Sequence, residues 1–437
     1  MKKILSVLLA LAMILTLAGC SGSGSSDSSS SETGKVYYLN FKPEADETLQ
    51  ALAKTYTEKT GVEVKVVTAA SGTYETTLIS ELGKTDAPTI FNVGNGQSVA
   101  TYGDYCLDLK DTPVYNEMTT HGFDQVGEDG KVYSIGNCYE TFGLIANKTL
   151  IEKAGYSVDD ITNFATLKEV ADGIHANAAT LGFDAFARSG LSSDSYWRFS
   201  GHLTNTPLFY TFLAMGQNTS IAPAALTNYD EAMVGFKNIW DLYITDCADS
   251  ATEIINGTVD EARQQFISGK AVFYQNGTWE YQSLIDGGLT DDDIQMIPIY
   301  TGVTGEENYG LNQGTENCWA VNCNATEADQ QASLDFLYWL VTDTDAVKTL
   351  ADCLGAIPFK SAPASSNKFV ADGDALLAAG KSPVAWAFNC TPNTEEWRAP
   401  VTSALQTYTA DPTDANWASV VSAFVDGWAT QYAAANK

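Results

Sequence analysis

The chain has 437 residues, with 54 Asp or Glu against 24 Lys or Arg and a formal net charge of −30. A chain this acidic disfavours nucleic acid and anionic membrane surfaces as partners, although the charge by itself says nothing of ligand chemistry. Its only arginines are Arg188, Arg198, Arg263 and Arg398; phosphate and carboxylate ligands usually recruit that forked side chain, so a neutral ligand is expected.

At the amino end, Lys2-Lys3 precedes the apolar run Ile4–Leu17 and then Leu17-Ala18-Gly19-Cys20. Such a run is too short to span a bilayer and reads as a signal peptide over residues 1–19. The Leu-Ala-Gly-Cys ending resembles a bacterial lipobox, which implies that Cys20 is lipidated. Residues 20–34 continue as a Ser/Gly tether that can bury nothing, about 20 Å end to end. Seven cysteines follow: Cys106, Cys138, Cys247, Cys318, Cys323, Cys353 and Cys390. The odd number argues against a complete disulfide framework, and small buried hydrophobes are expected. His121, His175 and His202 are widely separated and no C-x-x-C occurs, so no metal or other cofactor is expected.

Val36–Phe41 reads as a strand and Glu44–Lys59 as a helix, with Leu49, Leu52, Ala53 and Tyr56 on one face and Gly61 as its stop. Strands over Val62–Val67 and Thr89–Val93 flank a helix over Tyr74–Gly83. This βαβαβ order predicts a parallel sheet with helices on both faces. In such sheets ligands bind beyond the carboxyl ends of strands. The loops at Phe41-Lys42 and at Asn95 therefore face the crevice, unless they are ordinary exposed turns. Val132–Leu150 is apolar but carries Glu140, which must find partners or lose several kcal/mol to desolvation. Helices follow over Ile151–Gly155, Thr166–Leu181 and Tyr229–Tyr243, the last with Trp240 at core spacing. Ser195–Gly216 between them is dense in aromatic residues.

Thr258 and Glu261 have capping-box spacing, Gly269 is placed for a left-handed C-cap, and Ala271–Tyr274 is a short buried strand. A turn at Asn276-Gly277 and a cap at Thr278 put Trp279 on the first turn of a helix, facing the crevice or packed in the core. Ile294–Tyr300 reads as a strand that crosses back, and Asn317–Val321 as another, with Trp319 toward the cleft. Ala328–Val341 is a helix. Ala364–Lys437 is helical, with Trp386, Asn389 and Trp397 near the cleft opening and Trp417 and Trp428 in the core.

The run FISGKAVFYQNGTWEY, residues 266–281, resembles a signature of the extracellular solute-binding proteins that serve sugar importers, the maltose-binding-like group. The resemblance implies a two-lobe α/β fold of the periplasmic-binding-protein type II kind, with a hinge between the lobes and a ligand cleft at their interface. Residues 35–146 plus 300–358 would form the first lobe, and 147–299 plus 359–437 the second. Ala146–Leu150 matches the family's crossing, and Gly355-Ala356-Ile357-Pro358 the turn that ends the first lobe. By the same resemblance Trp279 is a sugar platform, Glu140 accepts sugar hydroxyls, and Phe209 and Tyr210 form an aromatic sugar-facing turn after Pro207. Core packing and a structural carboxylate are the rival readings. The implied partners are a neutral carbohydrate, ABC transporter permease subunits and, through the anchor alone, the membrane. The protein would be a monomer on the outer face of the cell membrane, a Gram-positive surface or a Gram-negative periplasm. Polyamines and peptides are alternative ligands for the fold. No hydrolase or nucleotide motif occurs, so no enzyme is expected; a secreted glycoside hydrolase, whose two carboxylates leave no signature, is the alternative.

Overall fold

The structure is a computed structural model that describes residues 33–436 apart from 71, 72, 128 and 317. The leader, Cys20 and nearly all of the tether lie outside the described residues. Twelve strands occur among them: β1 Val36–Asn40, β2 Val64–Thr68, β3 Ile90–Asn92, β4 Gln125–Val126, β5 Val132–Gly136, β6 Glu140–Asn147, β7 Asp184–Phe186, β8 Ala271–Gly277, β9 Ile294–Ile297, β10 Tyr309–Gly314, β11 Cys318–Val321 and β12 Ser382–Ala385. They form two sheets. The first has the order β2-β1-β3-β11-β5-β4; the second runs β12-β10-β6-β8-β7, with β9 also paired to β6.

In the first sheet β1 is parallel to β2 and β3, as the βαβαβ order requires, but β11 enters antiparallel between β3 and β5. Alternate side chains cover both faces. Val36, Tyr38 and Trp319 pack with Leu49, Leu52 and Tyr56 of helix Asp46–Thr60 and with Phe336 and Leu340 of helix Glu327–Thr342. Leu39, Phe91 and Ala320 pack with Tyr74 and Leu78 on the opposite face. Helix Asp46–Thr60 buries the face expected for it and ends on Gly61 at φ 76°, a left-handed C-cap. The second sheet is likewise covered on both sides, by Phe142, Leu144 and Phe273 on one and Ile145, Tyr274 and Met296 on the other.

Strand pairing moves two of the expected crossings. All eight residues of β6 are buried, and it pairs with β8, β9 and β10. Residues 140–146 therefore belong to the second sheet, and the first crossing is at 137–139. An apolar run is what a strand covered on both faces requires, so it could not also be a solvated linker. For the same reason Ile294–Ile297 does not cross back: β9 and β10 stay with β6, and the second crossing falls between Gly314 and Cys318. The third follows Phe359, which bridges to Met118 in the first lobe, while helix Lys368–Ala378 packs on β9 and β10. Thus 300–314 also joins the second lobe. All seven cysteines after Cys20 are free thiols, four of them buried.

Candidate functional site

Two glycines build the floor. β8 does not turn at Asn276-Gly277 but continues through Gly277, which pairs with Phe142, while Gly314 at the end of β10 pairs with Glu140. A Cβ at Gly277 would lie 2.3 Å from the Trp279 ring, and one at Gly314 would lie 2.4 Å from the Trp386 ring. Only glycine lets the two indoles lie this close to the strand ends. Trp279 follows β8 on the short 3-10 turn Thr278–Glu280, at the expected place, and Trp386 follows β12.

Both rings border His202. Its imidazole stacks on Phe142 with centroids 4.5 Å apart and planes 8° apart. Trp197 stands 5.1 Å away, Trp279 5.2 Å, Phe388 5.4 Å and Trp386 5.6 Å. His202 lies on a π-helical stretch, Arg198–Leu203, which leads into helix Thr204–Met215 with Pro207 inside it. Such wide turns are often found at functional sites. Burial, with the Arg398 and Arg198 guanidinium groups adding to it, pushes the His202 pKa down to about 3, so the imidazole is neutral. Among the described residues the buried indole N–H groups of Trp279 and Trp386 meet no hydrogen-bond acceptor, and Trp386 is only 7% exposed. Buried donors left unpaired cost about 1–3 kcal/mol each, which a ligand oxygen would recover.

Charged groups from both lobes meet beside this box. Lys42 Nζ, on the loop after β1, lies 2.5 Å from Glu140 Oε1 and 2.9 Å from Glu44 Oε1. Burial works against its charge, but Glu140 and Glu44 hold it well above the usual lysine range. Glu140 is thus tied to a side-chain cation from the other lobe. Glu316, on the second crossing, is partly open to solvent yet ringed by charged groups. Burial pushes its carboxyl up to about 7; Arg398 opposes this, and Glu140, Glu75 and Glu395 add to it. A folded-state pKa above the ordinary 4.5 means that the folded state binds this proton more tightly than the unfolded chain. That stabilisation is complete below about pH 4.5 and is lost as pH rises through about 7. The melting temperature of the wild type minus that of Glu316→Gln should therefore fall between those values and level off above them, as calorimetry across pH would show.

Gln97 of helix Gly96–Tyr102 also joins the lobes. Its Nε2 donates to Asn393 Oδ1 at 3.3 Å, and Thr394 N donates to its Oε1 at 3.1 Å. Asn95 caps that helix through a capping box with Ser98, and so orients Gln97. Phe41 packs edge-on against Tyr74 at 5.3 Å. Asn389 donates to Thr315 O at 2.9 Å, and its own Oδ1 finds no donor among the described residues.

Four expected site residues lie in cores instead. Trp319 donates to Tyr38 Oη at 3.1 Å, inside the first lobe. Trp397 donates to Phe424 O at 2.9 Å, with its ring against Phe424 and Trp428. Phe209 and Tyr210 sit within a helix rather than on a turn, and pack on Tyr309 and Val303. His202, Trp197, Phe142, Phe388, Glu316 and Arg398 were not expected. Among the described residues no group of three or more His, Cys, Asp or Glu could hold a metal ion, and no helix is long and apolar enough to cross a membrane.

The family model for bacterial extracellular solute-binding proteins matches residues 51–378. None of the curated proteins matches in a sequence search. Among solved structures, RafE in complex with raffinose superposes with a TM-score of 0.69 at 15% identity, covering 90% of this chain and 99% of that one; the apo form is from Streptococcus pneumoniae. A Bacillus licheniformis sugar transporter protein in complex with stachyose gives 0.67 at 15% identity, covering 91% and 100%. The GacH receptor of Streptomyces glaucescens, studied unliganded and with acarbose, gives 0.63 at 19% identity, covering 93% and 98%. The fold is that of a two-lobe type II periplasmic binding protein.

Proposed function

The chain belongs to the bacterial extracellular solute-binding proteins, and on that premise we propose that it captures an oligosaccharide without acidic groups for an ABC importer. The observation that carries this reading is the box around His202. Aromatic faces offer flat apolar surface to the C–H side of sugar rings, and the two unpaired indole N–H groups are donors for sugar oxygens. The neighbours' ligands, raffinose, stachyose and acarbose, belong to this class. Titration calorimetry against neutral and amino oligosaccharides, with amino acids and polyamines as controls, tests it. Binding confined to the controls would overturn the carbohydrate reading, and turnover of an oligosaccharide would point to a hydrolase.

Ligand binding is coupled to closure of the lobes about the three crossings. Solution scattering should give a smaller radius of gyration for the saturated protein than for the empty one, and Gln97→Ala, which removes a contact between the lobes, should weaken affinity several-fold. Identical scattering curves at proven saturation would rule closure out.

We further infer that the protein acts as a monomer on the outer face of the cell membrane, held by a lipid on Cys20; the lipobox-like ending of the leader supports the anchor. One lipid chain holds a protein only marginally, so an anchor of two or more chains is expected. Cys20→Ala should move the protein from the membrane fraction to the soluble one without changing ligand affinity. A variant still wholly membrane-bound would contradict the anchor.

A further inference from the structure

We propose that His202 is the residue that selects the sugar: its imidazole accepts a hydrogen bond from one ligand hydroxyl at the aromatic box. This rests on the carbohydrate reading above and narrows it to sugars that keep a free hydroxyl at that point. Phe142, Trp386 and Phe388 are buried and back the imidazole, while Trp197, Trp279 and His202 itself are partly exposed. Among the described residues the His202 ring makes no hydrogen bond. A phenylalanine could stack on Phe142 in the same way and would leave no polar atom among apolar rings. Packing alone therefore gives no reason for an imidazole here. Its backbone is unusual as well: Thr204 N donates to Phe199 O, five residues back, in the wide π-helical turn that carries His202.

The rings of the box are short of acceptors. Phenylalanine offers none, and an indole N–H only donates. Trp197 Nε1 already donates to Asp194 O at 2.7 Å, whereas the N–H groups of Trp279 and Trp386 meet no acceptor among the described residues. The neutral imidazole has one donor and one acceptor nitrogen. It is thus the one ring of the box that can receive a hydrogen bond. A hydroxyl oxygen can accept from an indole N–H, and its own proton then points to His202. An ether oxygen or a carbonyl would satisfy the indoles and leave the imidazole acceptor unmatched. An ammonium would satisfy the imidazole and bring nothing to the indoles. A hydroxyl answers both.

The test is titration calorimetry with maltotriose, cellotriose, xylotriose and galactotriose, and with monodeoxy analogues of whichever binds the wild type most tightly. His202→Phe should bind that trisaccharide about ten-fold more weakly. One monodeoxy analogue should lose about as much with the wild type, yet bind His202→Phe no worse than the parent sugar does. His202→Gln, which restores an amide donor and acceptor, should recover part of the affinity. The melting temperature of His202→Phe should rise by about 1–3 °C, because the unpaired polar ring has gone. Unchanged affinity in His202→Phe would overturn the inference and leave the carbohydrate reading standing. So would deoxy losses that are equal in the two proteins, whatever the larger ring does to stability. If none of the four trisaccharides binds the wild type, the carbohydrate reading falls and this inference with it.

Discussion

Trp279→Ala is expected to lower ligand affinity roughly 30- to 1000-fold, the worth of one stacked and buried ring. The indole lies at the edge of the second lobe's core, partly exposed, 6.1 Å from Trp197 and 5.2 Å from His202. Its truncation should therefore cost less stability than the about 3–5 kcal/mol of a fully buried tryptophan. Trp397→Ala supplies the contrast. That ring is 1% exposed and hydrogen-bonded to Phe424 O, so its loss should depress the melting temperature strongly and change affinity little in protein that remains folded. Calorimetric titrations and melting curves on both variants read the two quantities separately. Near-wild-type affinity in Trp279→Ala with a collapsed melting temperature would place that indole in the core and the site elsewhere.

The second large effect concerns the ion pair between the lobes. Lys42 and Glu140 side chains are only 8% and 7% exposed. Removing one partner strands the other's charge away from water, which typically costs about 3–5 kcal/mol. Lys42→Met should show this loss in chemical denaturation. Adding Glu140→Leu should recover much of it, because two apolar side chains of similar size have no charge to desolvate. Glu44, 42% exposed, is a weaker partner and should matter less. A double variant as unstable as the single one would mean that the pair is itself a net source of stability.

What could be read from the sequence was whatever depends on near neighbours. Helix Asp46–Thr60 and the capping box of Thr258 and Glu261 are specified by residues within a few turns of each other, and both stand as expected. β6 was misplaced because a strand buried on both faces has no alternation to show which sheet it joins. The turn expected at Asn276-Gly277 failed because the glycine answers a different need, the close approach of Trp279. Which indoles are core depends on distant partners: Trp319 on Tyr38, Trp397 on Phe424. His202 and Glu316 had no local signature at all. Their surroundings come from residues 142, 197, 279, 386 and 388 in one case and 75, 140, 395 and 398 in the other.

The position of β11 bears on how the chain is made. It fills the middle of the first sheet, between β3 and β5, yet its residues, Cys318–Val321, are synthesised long after Gly136 at the end of β5. At typical elongation rates the gap amounts to about 10–40 s, during which β3 and β5 each expose an unpaired edge. Until then the first lobe cannot close its own sheet, and the nascent chain stays dependent on whatever shields those edges. In an extracellular family this delay favours export ahead of folding, since the last strand needed for a compact first lobe is withheld until most of the molecule exists.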